Sequence, residues 1–396
     1  MELAGIRVWD GASAVGTATV TWQGDRIESV AGAANDGHPG LSLIPGLIDT
    51  HVHLISYAGT APLDYLSWPL VTPEVERVLH GVAQAQRALR VGVTTIRDMA
   101  GDQPQVALKH AFDQGVLVGP RVLVHGMVGM TAGHSDLFTP PAVADRPPTA
   151  DGPDACRRLV RTYARMGCDG IKVTTSGGVL STGDKNEWRN YTREELDTIV
   201  DEAHALAMPV GAHCHTEAGI DAALAAGVDS LEHATRITAE QAREAARRDV
   251  SIAATLLILD RIAGGDATVS GEVRQKAQDL HAVRQARLER AAQEGAPFVL
   301  GTDSSGRLMP FGLQLNEVQA MVVQIGLTPE QALIAATSRA ARTVGLSDSI
   351  GRVAPGYDAD FVVVRGTPWR RIEDLTPENI VAVVSRGRVV SGALPA

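Results

Sequence analysis

Two short stretches set histidines two residues apart, Asp49-Thr50-His51-Val52-His53 and His213-Cys214-His215. Side chains on a β-strand alternate between faces, so each pair projects from one face toward one point. Paired imidazoles are a natural donor set for a divalent transition metal, and mixed nitrogen and oxygen ligation suits zinc better than calcium or magnesium. Two further strand-like runs end in chemistry-bearing residues: Gly-Val-Asp-Ser-Leu-Glu runs into His233, and Pro-Phe-Val-Leu-Gly-Thr into Asp303. Lys172 lies within the apolar run Gly-Ile-Lys-Val. A buried ammonium is costly there unless its charge is paired or lost. The free amine that deprotonation leaves can take up carbon dioxide as a carbamate and bridge two metals through oxygen. His51, His53, Lys172, His213, His233 and Asp303 thus form one candidate set from five strand ends. The choice between His213 and His215 is open at this level, because both face the same side of their strand.

Such residues need a scaffold that brings strand ends to one place. From about residue 46 to 346, short apolar runs alternate with Ala-, Leu-, Arg- and Glu-rich helical stretches, as where Glu-Glu-Leu-Asp-Thr-Ile-Val follows Gly-Ile-Lys-Val-Thr-Thr. Eight such β-then-α units predict an α/β fold, a (β/α)8 TIM-like barrel whose catalytic face lies at the C-terminal ends of its strands. Residues 1–45 and 347–396 instead read as alternating strands broken by Gly, Asp and Pro, and they predict one small β-sandwich built from both chain ends. The segment from about 133 to 154, with two Pro-Pro pairs, is long for a βα loop and predicts a lid.

Composition excludes several functions. In 396 residues, 36 basic side chains face 46 acidic ones, and a net charge of -10 opposes nucleic acid and anionic membranes. Three cysteines at irregular spacing form neither a disulfide framework nor a thiolate zinc site, and no long apolar run spans a membrane. A cytoplasmic protein is expected, foldable as a monomer and compatible with a homo-oligomer. With only 4% aromatic residues, a small or polar-lined pocket is favoured over an aromatic cleft.

The runs PGLIDTHVHL, GVTTIRDMAG, GIKVTTSGGVLS, HCHTEAGIDAALAAGVDSLEHAT, LGTDSS and PGYDADFVVV together resemble the amidohydrolase superfamily. Within it they look like the imidazolonepropionase-like branch, which includes metallo-prolidases, metallocarboxypeptidases and ochratoxin-hydrolysing enzymes. The resemblance implies two Zn²⁺ ions: His51, His53 and Asp303 on the more buried one, Lys172 bridging as a carbamate, and His213 and His233 on the second. His213 is preferred over His215 because its twenty-residue step to His233 fits the family's spacing. It implies hydrolysis of a peptide or N-acyl amino-acid amide by a zinc-activated bridging hydroxide, with Asp303 moving the proton. His215 is then expected to bind the scissile carbonyl or the substrate carboxylate, and His134 a substrate carboxylate. Tyr191, with Arg189 and Trp188, is expected to line the pocket, and Arg97-Asp98 to form a rim ion pair. Alternatives on the same fold are trimming of a modified peptide in a natural-product pathway of the bottromycin type, and ring opening of a cyclic amide or imidazolone. Lys172 argues against a one-metal deaminase, and the filled ligand positions against a metal-free scaffold.

Overall fold

The computed structural model describes residues 1–61, 65–144 and 146–395. Eight strands run parallel in sequence order: β5 (Leu47–Val52), β6 (Val93–Gly101), β7 (Arg121–Met127), β8 (Gly170–Thr174), β9 (Val210–Cys214), β10 (Ser230–His233), β11 (Ser251–Ala253) and β12 (Phe298–Val299). The remaining strands, β1 (Glu2–Trp9), β2 (Ala14–Gln23), β3 (Arg26–Gly32), β4 (Leu41–Pro45), β13 (Phe361–Arg365), β14 (Ile380–Ser385) and β15 (Arg388–Gly392), form a second sheet in the order β15-β14-β13-β4-β1-β2-β3. The chain changes sheet at Gly46, between β4 and β5.

The parallel sheet closes on itself. The amide of Thr50 donates to Leu300 O at 2.8 Å, those of Thr302 and Asp303 donate to His51 O at 3.2 and 2.8 Å, and His53 N donates to Ser304 O at 2.8 Å. These bonds stitch the first strand to the segment after the last, which is the closure a barrel requires. Buried Asp49 fixes the seam by accepting from Thr302 Oγ1 (2.6 Å) and from the amides of Thr302 (3.1 Å) and His51 (3.2 Å).

Helices pack on the outer face because their apolar positions recur every three or four residues. In Arg193–Ala205 the buried residues are Leu196, Ile199, Val200 and Ala203, and a Thr192–Glu195 capping box starts the helix. Against such stripes lie the outward side chains of the strands, among them Ile171, Val173, Val210, Ala212 and Leu231, in one continuous core. Cys214 belongs to it.

The terminal sheet has its own core around Ile6, Val20, Trp22, Leu43 and Phe361. In a flat sheet β2 and β13, three steps apart, would lie about 14 Å apart. Yet the Trp22 and Phe361 rings meet at 5.0 Å, edge to face, and Trp22 Nε1 donates to Gly387 O at 3.1 Å. The sheet therefore folds over on itself, and its two halves pack as the layers of a small sandwich. Among the described residues no helix is long and apolar enough to cross a membrane.

Candidate metal centre

The barrel interior beneath the strand ends is ionic. Arg97 on β6, 1% exposed, donates to Glu232 Oε1 (2.8 Å), Ser230 Oγ (3.2 Å) and Thr50 O (2.5 Å). Ser230 Oγ also donates to Glu232 Oε1 at 2.6 Å, and Glu232 Oε2 accepts from His51 Nδ1 at 2.7 Å. Burial pushes the Glu232 carboxyl up, but Arg97 and the His51 hydrogen bond hold it well below the usual carboxylate range. Gly211 makes room for this cluster: a Cβ there would lie 2.5 Å from Met99 Cε and 3.0 Å from Glu232 Oε1. Because Nδ1–H of His51 is committed to Glu232, its Nε2 keeps the lone pair a metal needs.

Above this layer the expected residues converge. Nε2 of His53 lies 3.1 Å from Asp303 Oδ1, and Nε2 of His51 lies 3.6 Å from the same oxygen. The His51 ring is 5.1 Å from that of His233, which is 4.7 Å from both His213 and His215. Two groups each bring one donor atom per residue within 4.8 Å of one another: His51 with His233 and Asp303, and His213 with His215 and His233. His215 thus comes within ligand range, beside the substrate role that the sequence suggests for it. His233 and His215 each commit Nδ1 to a threonine hydroxyl, Thr255 Oγ1 (2.7 Å) and Thr235 Oγ1 (2.8 Å), which leaves Nε2 free. His213 has Nε2 3.4 Å from Gly177 O, leaving Nδ1.

Lys172, 2% exposed, sits in the wall of the same cavity. Burial pushes its amine down to about 8, with Glu232 and Asp303 acting in the opposite sense. Among the described residues no hydrogen bond or ion pair to its Nζ is present. A buried, unpartnered amine among histidine and carboxylate donors fits a metal site in which the lysine takes part through added oxygen atoms. Burial also pushes His51 and His134 to about 4 and His215 to about 3, so these rings are neutral near pH 7. Neutral imidazole is the ligating form.

Backbone strain aims two of these groups. His233 and Asp303 have φ of +70° and +56°, and Thr255, which holds His233, has +47°. Left-handed conformations cost a non-glycine residue about 1–2 kcal/mol each. At the end of β10 the turn brings His233 into the mouth although its neighbour Glu232 already faces the interior, which strict alternation would forbid.

The site opens into a cavity of about 310 Å³. One wall is aliphatic, formed by Val179 and Leu180 from the loop after β8 and by Ile258, Leu259 and Ile262 from the helix after β11. Buried Glu317 fixes the helix Leu256–Gly264 that carries three of them, accepting from the amides of Leu256 (2.5 Å) and Leu257 (3.0 Å). Glu74, Arg77, Asp98 and Asp102 also line the cavity. The space is small, as expected, and most of its lining residues are polar, but it also carries a wall of Ile, Leu and Val that the low aromatic content does not announce.

His134 lines the cavity, as do Phe138 and Pro147 from the same long loop. That loop is a wall tied by the Arg146–Asp136 ion pair at 2.7 Å. Tyr191 does not line the cavity. It is buried with its hydroxyl donating to Val128 O, because the loop after β8 turns it into the scaffold, and Trp188 is 43% exposed on the surface. Arg97 and Asp98 do not pair with each other. Adjacent on one strand, they face opposite ways, and Asp98 accepts from the amides of Leu54 (2.7 Å) and Ala100 (3.0 Å). The sequence reading missed Glu232; a carboxylate inside the apolar run before His233 was the available signal.

A profile of the Amidohydrolase family matches residues 42–390. Ochratoxinase from Aspergillus niger is 32% identical over 377 residues, covering 88% of this chain and 76% of its own. A solved prolidase complexed with N-methylphosphonate-L-proline superposes with a TM-score of 0.89 at 26% identity, covering 99% of each chain. A Xaa-Pro dipeptidase with bound methionine does so with a TM-score of 0.88 at 26% identity, covering 98% of each.

Proposed function

Since this chain belongs to the amidohydrolase family and is a hydrolase of that superfamily, we propose that it cleaves the amide bond of a small peptide or N-acyl amino acid, using divalent metal, zinc foremost, at the cluster of His51, His53, Lys172, His213, His233 and Asp303. The observation that carries the reading is Lys172: an amine 2% exposed, without a hydrogen-bond partner among the described residues, beside four histidines and a carboxylate. N-carboxylation would supply the oxygen donors that make Lys172 a bridge between two sites. Metal held there would supply Lewis acidity, acidifying water and polarising a carbonyl.

The chain's own groups then divide the remaining work. The carboxylate of Asp303 accepts the proton that water gives up and returns it to the leaving nitrogen. His215, with Nδ1 taken by Thr235, has Nε2 left for the carbonyl oxygen or a substrate carboxylate. His134 meets the substrate's other polar end from the facing loop. Glu232 and Arg97 keep His51 in one tautomer from below.

The cavity supports a substrate of dipeptide or N-acyl amino-acid size carrying an apolar group against the Ile258–Leu259–Ile262 wall. The ochratoxinase, prolidase and dipeptidase relatives support an amide as the bond cleaved. The test is a hydrolysis screen of dipeptides and N-acyl amino acids on protein purified without chelator, with Asp303→Asn alongside. Release of free amino acid by the wild type, lost by at least about a hundredfold in the variant, is the expected result. An Asp303→Asn protein with full turnover would remove Asp303 as the proton carrier, and a wild type inert on the whole panel would remove the substrate class.

A further inference from the structure

None of Ser181, Asp184 and Lys276 lines the cavity, yet together they reach His134, which does. Lys276, on the helix Gly271–Gln293, directs its ammonium at Asp184 Oδ1 (2.5 Å), Ser181 O (2.7 Å) and Gly178 O (3.2 Å). Asp184, 1% exposed at its side chain, is therefore paired as a carboxylate. Its other oxygen accepts from Ser181 Oγ at 2.7 Å. A hydroxyl has a single proton, and with that proton given to Asp184, Ser181 Oγ can only accept on its other side. What it meets there is His134 Nδ1, at 2.6 Å.

The direction of every bond in the chain follows from the lysine at its far end. His134 must carry its proton on Nδ1, so Nε2, the one ring nitrogen left for substrate, is an acceptor that suits a substrate N–H rather than the carboxylate expected from the sequence. The ring is also held in place: one face stacks on His213 at 4.4 Å, Phe138 meets it edge-on at 4.8 Å, and Gly178 lets it approach so closely that a Cβ there would lie 2.1 Å from Cε1.

We propose that Ser181, Asp184 and Lys276 are positioning residues that fix the orientation and the tautomer in which His134 meets the substrate. The relay joins the loop after β7, the loop after β8 and the helix Gly271–Gln293, so the substrate-facing nitrogen is set by a network that never touches substrate. The inference rests on His134 being a substrate-binding group, as in the function proposed above. A loop staple alone would need only the Lys276–Asp184 pair and would make no use of Ser181 as an acceptor.

Ser181→Ala separates the two roles, since it leaves Lys276 on Asp184 and removes the hydroxyl that joins Asp184 to His134. The expected result in the metal-loaded enzyme is a KM raised about tenfold, the effect of one misdirected hydrogen bond, with kcat within a few-fold of wild type. Ser181→Thr, which keeps the hydroxyl, should restore KM. In Ser181→Ala/His134→Ala the two losses should not multiply, because both remove the same contact. Independently of any substrate, ¹⁵N-edited NMR of the histidines should find His134 protonated at Nδ1 in the wild type and shifted toward the other tautomer in Ser181→Ala. A wild-type His134 protonated at Nε2 overturns the relay even if no amide substrate is ever found. An unchanged KM in Ser181→Ala, or losses that multiply in the double variant, overturns it where a substrate is known.

Discussion

Replacing Glu232 with glutamine changes one oxygen for an amide group at nearly constant volume, in the most buried ionic contact of the barrel. Glu232 accepts from His51, Arg97 and Ser230. A glutamine has one acceptor oxygen, and its NH₂ would confront either the Arg97 guanidinium or His51 Nδ1–H, donor against donor. Removing one partner of a buried ion pair costs about 3–5 kcal/mol. Unfolding entropy of about 2.1 cal/mol/K per residue, over this chain's length, converts that into a fall in Tm of roughly 4–6 °C. His51 would also lose the contact that fixes its tautomer, so metal affinity should fall about 10- to 100-fold. Glu232 is held below its ordinary value in the folded protein, so its stabilisation is fully present above the usual carboxylate range and is lost only as acid carries the pH down through that lowered value. The gap between variant and wild type should therefore stay constant from about pH 6 to 8. Thermal melts across that range, with zinc competition against a chromophoric chelator, measure both effects. A Glu232→Gln protein that melts within a degree of wild type and binds zinc equally well would refute the reasoning.

Lys172→Ala should lose about a thousandfold in kcat/KM, the several kcal/mol that a metal's charge supplies, and short carboxylic acids should restore part of it by replacing the carbamate oxygens. Activity assays with and without added acetate or propionate decide this, and an unaffected variant would remove Lys172 from the centre. Tyr191→Phe should lower stability by about 1–2 kcal/mol through the bond to Val128 O while leaving KM unchanged. A raised KM would return Tyr191 to the substrate pocket. Leu259→Ala should reduce kcat/KM about tenfold for a phenylalanyl or leucyl substrate relative to its glycyl analogue. An equal loss on both would mean that the aliphatic wall does not hold substrate.

The barrel, and the convergence of histidines at its mouth, were legible because both rest on local periodicity. A β-then-α rhythm predicts parallel strands, and His51-x-His53 and His213-x-His215 predict shared faces whatever the rest of the chain does. What stayed hidden depends on contacts between distant strands or on backbone conformation. Glu232 acquires its role only when β10 brings it within reach of His51 on β5 and Arg97 on β6. Arg97-Asp98 looks like an ion pair in sequence, but adjacent strand residues face apart, and each finds a partner elsewhere. His233 and Asp303 reach the mouth through left-handed turns that their residue types do not advertise. The aliphatic wall draws on Val179 and Ile258, side chains nearly eighty positions apart that a sequence reads only as ordinary core. Tyr191 follows the lysine strand closely enough to suggest the pocket, and only the path of its loop shows that it faces the scaffold.

The central claim, a metal-dependent amide hydrolase, is tested most directly by elemental analysis of protein purified without chelator, followed by stripping and reconstitution while the cleavage of one accepted dipeptide or N-acyl amino acid is followed. About two zinc ions per chain are expected, with hydrolysis lost on stripping and recovered as zinc returns. A stripped protein that cleaves the same amide at an unchanged rate, or a chain that retains no divalent metal at all, would contradict the account.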